Sequence, residues 1–521
     1  MKHTPQARTP SLYDNVIGEA YVPQNHILRR IRAAVDFSFV PELLADLYHD
    51  SLGRPACDQE VLARLTFLQM HYGLSDPGVI ERAQTDHAFR FFLGIDWNDE
   101  LPHHSSLSRF RTRLGTERVE AIFTGLLRQA QELGLAPGRR LLIDSTSVRA
   151  DVAVPRLRKL LERVVKDALD ALEGASEELA YLRSEYAALT EERPALMDRQ
   201  LRERLLGELL VLAELLAEEL EGLEERTQAQ QASLELLEAT LERSANRGKR
   251  GTRRDELLSD VDPDARWSCK KRGKQVEPGY LQQIAVDAEH GIVTEVEVTA
   301  GNADDSGMLR EMVEGHTERV GLKPDEVVAD SNYQSGENRA HLVERNITDH
   351  LAVPASKGSR RGNYSVSDFE IEWNEKRAPV AVLCPHGELS EKPKWKEAKH
   401  AWEFYFRKGQ CEGCPLRARC TKQKRGRSVS VDEHYLLTEA ARERQASEEG
   451  RAAQRERFRI ERQFALQKQR GGGRTRYRGI EKNSQRGLWW GFYCNIMTIT
   501  RCVWEGLCGP PEAKLYSAAP G

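Results

Sequence analysis

Short apolar segments with strand character recur in a fixed order along the chain, and this order limits the folds available to it. The first, at 139–148 (RRLLIDSTSV), ends in polar residues as a buried strand does. Two more, at 282–287 (QQIAVD) and 292–299, flank the turn sequence His290-Gly291. We therefore predict one isolated strand followed, much later, by a β-hairpin.

Helices and strands alternate after this hairpin. Apolar spacing predicts helices at 305–320 and 335–345, and strands at 326–330 and 350–353. A further helix is predicted at 448–470, beyond a second insertion. With the insertions left out, the order of elements is the connectivity of an RNase H-like core, so the expected fold class is α/β with a mixed sheet.

The first insertion is rich in leucine and glutamate from 155 to 244. Its leucines follow three- and four-residue spacing that is interrupted at Pro194. This pattern predicts two long helices folded back on each other as an antiparallel, coiled-coil-like hairpin. A plain solvated helical spacer is nearly the same prediction, and neither interpretation assigns chemistry to the segment.

The N-terminal residues 1–135 are predicted to be mostly helical. The sequence Ser75-Asp76-Pro77 has the cap and the early proline of a helix start, and a second start is predicted near His104. Short helices joined by tight turns suit a helix-turn-helix-like module. A helical domain for packing or dimerisation fits the pattern as well.

Composition indicates a polar, globular protein of two or three domains. The 521 residues are 40% hydrophobic and 30% charged, and no run of eighteen apolar residues is present to span a membrane. The first fifteen residues lack the apolar centre of a secretory signal, so we expect the protein to stay in the cytoplasm.

The formal net charge of −4 hides a local excess of positive charge. Residues 451–482 carry eleven lysines and arginines against three acidic residues. A local basic stretch matters more for phosphate binding than the total charge does. A nucleic-acid partner is therefore compatible with the composition.

Two aspartates occupy positions at which an uncompensated charge is costly. Asp144 lies inside the apolar strand LLIDSTS, and Asp330 ends the apolar strand EVVAD. A divalent metal ion compensates such carboxylates, because hard cations take carboxylate oxygens as ligands. A lone aspartate at a strand end is usually a cap or a turn former, but two of them on strands expected to be adjacent favour a metal site.

A third acid comes from the basic segment. Arg457, Glu461 and Lys468 have the spacing Arg-x3-Glu-x6-Lys, which places them on one face of a helix. Taken alone, the pattern also fits a solvated helix with ion pairs. Together with Asp144 and Asp330, Glu461 fits a two-metal site for phosphoryl transfer, in which Arg457 and Lys468 contact DNA phosphates.

Two other acids, Asp287 and Asp305, are left out of the predicted metal site. Asp287 precedes the hairpin turn, which suits a turn former. Asp305 suits a cap of the helix that follows it, although a place beside the metals also fits.

Three glycines at 471–473 are followed by a basic stretch that contains Arg474 and Arg476. We expect this segment to be flexible. The two arginines are candidates for contact with the DNA backbone, and a solvated linker fits equally well.

Four of the nine cysteines form a group in the second insertion. Cys411-x2-Cys414 has the spacing of one corner of a tetrahedral thiolate site, and Cys384 and Cys420 complete four candidate zinc ligands, with His386 as a spare. A reducing compartment favours such a metal site over disulfides. An iron–sulfur cluster uses the same ligands, and four reduced cysteines packing a small subdomain also fit.

In combination, these motifs resemble those of the insertion-sequence DDE transposases. The segments GRPACDQEVLARLTFLQMHYGLSD, LLIDSTSVRA and VVADSNYQSGEN resemble the helical N-terminal domain and the two catalytic-aspartate strands of that family. The spacing of Arg457, Glu461 and Lys468 matches the family signature Tyr-x2-Arg-x3-Glu-x6-Lys, except that Gln454 stands at the tyrosine position. This departure affects a phosphate contact and none of the acids.

The resemblance implies a defined chemistry. Asp144, Asp330 and Glu461 would be the catalytic residues and would hold two Mg2+ ions, or Mn2+ in their place. The enzyme would bind the terminal inverted repeats of its element, nick the DNA with a metal-activated water, and join the released 3′-hydroxyl to the other strand or to target DNA. Such enzymes usually act as homodimers. A nuclease that cuts without joining, and a repurposed DNA-binding protein without catalysis, are the alternatives.

These patterns divide the chain into six parts. They are a helical N-terminal DNA-binding or dimerisation domain (1–135), an RNase H-like core (136–150 and 260–354), a helical hairpin insertion (151–259), a cysteine-containing insertion (355–447), the catalytic and closing helices of the core (448–505) and a tail (506–521).

Overall fold

The computed structural model describes residues 20–49, 56–97, 99–172, 177–191, 198–247, 249, 255–268, 276–354 and 363–509. The N-terminal part is helical, as predicted. Its α-helices are α1 (Ile27–Ala34), α2 (Phe39–Leu43), α3 (Gln59–Tyr72), α4 (Asp76–Thr85), α5 (His87–Leu93) and α6 (Ser105–Glu132). The predicted start of α4 is confirmed, because the Ser75 hydroxyl accepts a hydrogen bond from the Gly78 N–H at 3.1 Å and Pro77 lies in the first turn.

The leucine-rich segment that follows β1 (Arg140–Ala150) forms four helices, so the predicted two-helix hairpin is wrong. They are α7 (Leu157–Ala171), α8 (Glu177–Glu191), α9 (Arg199–Glu221) and α10 (Gln228–Ala245). Their leucines share one buried core. Local stop and start signals divide the segment, although its leucine spacing is continuous. One such pair is Gly222 at the end of α9 and Thr227, which forms a capping box with Gln230 at the start of α10. Pro194 lies outside the described residues.

A mixed sheet contains the strands predicted from the apolar segments. After β1 come β2 (Arg266–Ser268), β3 (Glu277–Asp287), β4 (Val293–Ala300), β5 (Glu326–Ala329) and β6 (Thr348–Leu351). β3 pairs in antiparallel fashion with β1, β2 and β4. β1 pairs in parallel with β5, and β5 in parallel with β6, so the main strands have the spatial order β4-β3-β1-β5-β6.

Both faces of the sheet are covered, which explains why its strands are apolar runs rather than alternating patterns. On one face, Leu141 and Ile143 of β1 pack against α11 (Leu309–Val320) and α12 (Gly336–Glu344). On the other face, Leu142 belongs to a core that includes the N-terminal helices.

Two small antiparallel sheets follow β6. The first contains β7 (Glu370–Trp373), β8 (Pro379–Leu383) and β9 (Leu389–Ser390), and the second contains β10 (Lys394–Lys396), β11 (Ala401–Tyr405) and β12 (Ser428–Asp432). Two one-turn helices, α13 (Lys408–Cys411) and α14 (Arg417–Cys420), lie between β11 and β12. Phe369, Val382, Phe404 and Val429 are among the side chains of one core that serves both sheets.

The C-terminal part returns to the large sheet through α15 (Tyr435–Ala446), α16 (Glu448–Arg455), α17 (Phe458–Gln469), β13 (Arg474–Thr475) and α18 (Ile480–Trp504). The single helix predicted at 448–470 is in fact two. They are separated at Glu456 and Arg457, where backbone N–H groups bond to carbonyls three residues back. The glycine-rich basic segment, expected to be flexible, is held in place, because β13 pairs in parallel with β1.

The helix α18 closes the core, as predicted. It packs against α6 and β4, and the Asn495 amide exchanges hydrogen bonds of 2.7 and 2.8 Å with the backbone of Val293. Gly491 permits this close contact, since a Cβ there would lie 2.9 Å from Val296. The N-terminal helices, α18 and the sheet therefore share one hydrophobic core. In the described ranges, no helix has the length and apolar content needed to cross a membrane.

Candidate active site

The two predicted catalytic aspartates lie next to each other. Ile143 of β1 is opposite Ala329 of β5 in a parallel ladder, so Asp144 and Asp330 are the next residues on adjacent strands. Neighbouring strands are about 4.8 Å apart, which brings the two carboxylates within reach of one metal site. The Asp144 side chain is only 16% exposed, and Asp330 is half-buried.

A third carboxylate, that of Asp305, lies near the two aspartates. Asp305 is at the start of the segment that leads into α11. It is buried, and its Oδ1 accepts hydrogen bonds from Ser145 Oγ at 2.7 Å and from Gln283 Nε2 at 2.8 Å. Its Oδ2 accepts a longer one, of 3.4 Å, from Asn332 Nδ2. Because Ser145 directly follows Asp144 in the chain, and Asn332 also donates its backbone N–H to Asp330 at 2.8 Å, Asp305 connects the surroundings of both aspartates.

The prediction that Asp305 caps the following helix is wrong. Its neighbour Asp304 is the cap, since its side chain accepts a hydrogen bond from the Ser306 N–H at 3.3 Å. Two adjacent aspartates cannot both occupy one cap position. The second aspartate of the pair, Asp305, is therefore a sequence signal for a role other than capping.

The Tyr333 phenol lies within the electrostatic influence of all three aspartates. Burial, and then the nearby carboxylates of Asp305, Asp144 and Asp330, raise the pKa of Tyr333 well above its usual value. The hydroxyl thus stays protonated and donates a hydrogen bond to Gln283 Oε1. Gln283 is fixed in turn and donates to Asp305, so the three acids sit on a rigid polar network.

The basic helix meets the acids through Arg457. Arg457 Nη2 lies 3.3 Å from Asp144 Oδ2, and α17, which begins at the next residue, packs against β1 and β3. Glu461 is one helical turn further on and is exposed. Lys468 is exposed as well, with its Nζ 6.0 Å from the centre of the Phe464 ring. Helix α17 therefore begins beside Asp144, and the Glu461 side chain is open to solvent.

Gln454, which stands at the tyrosine position of the family signature, has a structural role. Its Nε2 donates hydrogen bonds to the backbone carbonyls of His350 and of Ala329, the latter at 3.3 Å. These carbonyls lie near the ends of β6 and β5. Gln454 thus fixes the end of the strand that presents Asp330.

Further positive charge follows β1 beyond Asp144. Arg474 and Arg476 are exposed, and Arg474 forms a 2.5 Å ion pair with Asp151. The half-buried Arg486 donates hydrogen bonds to the carbonyls of Gly472 and Arg474 at 2.8 and 2.7 Å, and so holds this segment against the sheet. The exposed cations are consequently presented on a fixed backbone.

No three histidine, cysteine, aspartate or glutamate side chains in the described part of the chain are already arranged around one metal position. Asp144 is instead paired with Arg457. The carboxylate oxygens of Asp144 and Asp330 are nevertheless the donor type that Mg2+ prefers. Glu461 is exposed, so packing does not fix its side-chain rotamer.

The four candidate zinc ligands also come together. Cys384, Cys411, Cys414 and Cys420 line one pocket at the junction of the two small sheets, and all four are free thiols. His386, the spare candidate, is exposed and does not line that pocket.

Comparisons with known proteins match two parts of the chain to transposase families. Residues 17–113 match the family described as Transposase domain (DUF772), and residues 383–502 match the Transposase DDE domain. Over 142 residues the chain is 32% identical to the transposase for insertion sequence element IS1106 of Neisseria meningitidis serogroup B. The two matched family models and this relative support an insertion-sequence DDE transposase. The alignment with the relative covers 26% of this chain and about half, 46%, of the relative. No solved structure matches.

The matched ranges divide the site. Glu461 and the cysteine segment lie within the DDE match, whereas Asp144, Asp330 and Asp305 lie between the two matched ranges. The case for the three aspartates in this chain therefore comes from their positions in the sheet and from their hydrogen bonds.

Proposed function

We propose that the chain is a transposase that binds the terminal inverted repeats of its insertion sequence and catalyses metal-dependent DNA strand cleavage followed by strand transfer. The observation that carries the proposal is the placement of Asp144 and Asp330 side by side on parallel strands, with the helix that bears Glu461 held against Asp144 by Arg457. Acids from two strands and one helix can bracket the pair of metal ions that in-line phosphoryl transfer uses.

The sheet supports assignment of the catalytic part to the RNase H-like fold. Three antiparallel strands, β4, β3 and β1, continue into the parallel strands β5 and β6. Asp144 lies on the central strand, and Asp330 follows the strand beside it. The four-helix segment and the two small sheets are insertions that leave this order intact.

Asp144, Asp330 and Glu461 would hold two Mg2+ ions, or Mn2+ in their place. When bound, such ions lower the pKa of water and stabilise charge on the attacking and leaving oxygens. Arg457 pairs with Asp144, and it would be free to contact a DNA phosphate if the carboxylate held a metal ion instead. Glu461 is one helical turn beyond Arg457 on the same face of α17, and its exposed side chain would complete the set of acids.

DNA phosphates are proposed to lie along the exposed cations Lys468, Arg474 and Arg476. Lys468 lies on α17, and Arg474 and Arg476 lie beside the end of β1. A DNA duplex bound along these side chains would therefore pass the carboxylates. Phosphate contacts of this kind position DNA without reading its sequence. Two copies of the chain, acting as a homodimer, would pair the two ends of the element.

Joining distinguishes this function from that of a nuclease. The purified protein is incubated with Mg2+, a duplex that carries the DNA flanking its own gene, and a target plasmid. The proposal expects both a nick at the repeat end and a covalent repeat–target product. Nicks without joined product would support a nuclease, and binding without nicks would support a repurposed DNA-binding protein.

Asp305 is proposed to position Asp144 and Asp330 through its hydrogen bonds. Asp305→Asn is expected to lower strand cleavage by about 10- to 100-fold, as for partners that orient metal ligands, and to raise the Mg2+ concentration needed for half-maximal activity. The matched control is Asp304→Asn, which changes the exposed cap next to it. Equal cleavage and equal Mg2+ dependence in the two variants would refute the positioning role, and an equal melting temperature rules out simple misfolding.

A further inference from the structure

The cysteine pocket joins two parts of the fold that are separate in the chain. Cys384 follows β8 in the first small sheet, whereas Cys411, Cys414 and Cys420 lie between β11 and β12 of the second. All four nevertheless line one pocket, together with Phe369 and Phe406 among others. A ligand bound by the four sulfurs would therefore fasten one sheet to the other.

The backbone around Cys384 is arranged to present its sulfur. Cys384 and Glu388 close a tight turn, with the Cys384 N–H donating to the Glu388 carbonyl at 2.8 Å. In the same turn, the Glu388 N–H donates to Cys384 Sγ at 3.3 Å. Gly387 supplies the positive φ of +89° that the turn requires. An N–H directed at sulfur stabilises a thiolate, which is the form that binds metals.

The other three cysteines lie on equally short turns. Gly413, with φ +79°, allows the chain to reverse between Cys411 and Cys414. Arginine side chains brace these turns: Arg417 Nη1 donates to the Cys411 carbonyl, and Arg427 Nη1 donates to the Cys420 carbonyl, both at 3.1 Å. Two cations close to the pocket offset the negative charge of several thiolates.

The thiols themselves are poorly accommodated without a ligand. Their four sulfurs line one small pocket together. Several sulfurs close together are costly as thiolates, and as thiols they give the apolar pocket only weak donors. A cation at their centre removes both difficulties.

We propose that Cys384, Cys411, Cys414 and Cys420 bind one Zn2+ ion that fastens the two small sheets together. The four sulfurs line one pocket, and no three of them already surround a single position at ligand distances. Each has a single side-chain torsion to turn, which is a small change. The four thiol protons leave to solvent as four Zn–S bonds form, and no oxidation or reduction is involved. Tetrahedral thiolate coordination with no open position makes the site structural, not catalytic.

The test is the metal content of the full-length protein purified without a metal-binding tag. We expect about one zinc per chain in the wild type and less than about a tenth in Cys414→Ser and Cys420→Ser. The control is Cys57→Ser, which changes a cysteine in the N-terminal helical part and should keep the ion. Less than about a tenth of a zinc in the wild type, or iron in its place, would overturn the proposal.

A second measurement covers the case in which the serine variants fail to fold. Co2+ is added to the wild-type protein after zinc has been removed with a chelator. The expected result is the strong visible and near-ultraviolet absorption of tetrahedral cobalt with thiolate ligands, lost again on addition of zinc. Absorption typical of octahedral cobalt with oxygen ligands would contradict a four-cysteine site.

Discussion

Asp144→Asn is expected to lower DNA strand cleavage by at least about a thousandfold. The amide keeps the size of the side chain and can still accept a hydrogen bond from Arg457, but it loses the charge that a divalent ion requires. A loss of about 4 kcal/mol of transition-state stabilisation corresponds to this factor. The measurement is the single-turnover rate of nicking on repeat-end DNA with saturating Mg2+.

The matched control for Asp144→Asn is Asp325→Asn. Asp325 is an exposed aspartate next to the start of β5, at the other end of the strand that leads to Asp330. Its replacement should leave the nicking rate within about twofold, because an exposed charge outside the site contributes little. Equal nicking by both variants would remove Asp144 from the catalytic site. If both variants bind DNA equally, the loss of nicking by Asp144→Asn is a loss of the chemical step and not of DNA binding.

Arg339→Ala is expected to cause the largest loss of stability among single substitutions in the sheet region. Arg339 is fully buried in α12, pairs with Asp349 Oδ1 at 2.6 Å and donates to the Leu351 carbonyl at 3.2 Å. Its removal strips the nearly buried Asp349 of its main partner, which typically costs about 3–5 kcal/mol. The measurement is the shift in melting temperature of the full-length protein.

Arg345→Ala is the control for this change. Arg345 forms an ion pair of nearly the same length with Glu314, but both side chains are about 40% exposed. Such a pair is worth about 1 kcal/mol or less. Similar melting temperatures for the two variants would show that burial of the Arg339 pair does not matter. Arg339→Met combined with Asp349→Leu should recover part of the loss, because no unpaired charge is then left in the core.

The strands of the sheet were predictable because both of their faces are buried. A run such as LLID carries the strand signal by itself, whichever neighbours it finds, and the turn at Gly291 follows from a positive φ that glycine tolerates. The pairing of β1 with β5 followed from the order of elements alone. Asp144 and Asp330 could accordingly be expected at neighbouring positions.

The helical segments were predicted less well, because local caps compete with long-range spacing. The leucines at helical intervals across 155–244 do not indicate that α9 ends at Gly222. Because of such interruptions, four helices rather than two share the core of this segment. Likewise, the division of the helix at Glu456 and Arg457 has no glycine or proline to announce it. It accompanies the contact between Arg457 and Asp144, which is a tertiary effect.

The supporting residues of the site were the least predictable. Asp305, Gln283 and Tyr333 come from three separate elements, and only the folded sheet brings their side chains together. Gln454 has no sequence signal for its task of holding the ends of β5 and β6. Polar networks of this kind depend on geometry that no local pattern encodes.

Asp144, Asp330 and Glu461 are proposed to hold the divalent ions of phosphoryl transfer. The metal preference of Asp330→Cys in the nicking assay tests this proposal, because a thiolate ligand disfavours Mg2+ and accepts Mn2+ more readily. We expect nicking by this variant to be lost in Mg2+ and partly restored in Mn2+, while the wild type works in both. The same loss in both metals with an unchanged melting temperature, or full activity in Mg2+, would contradict it.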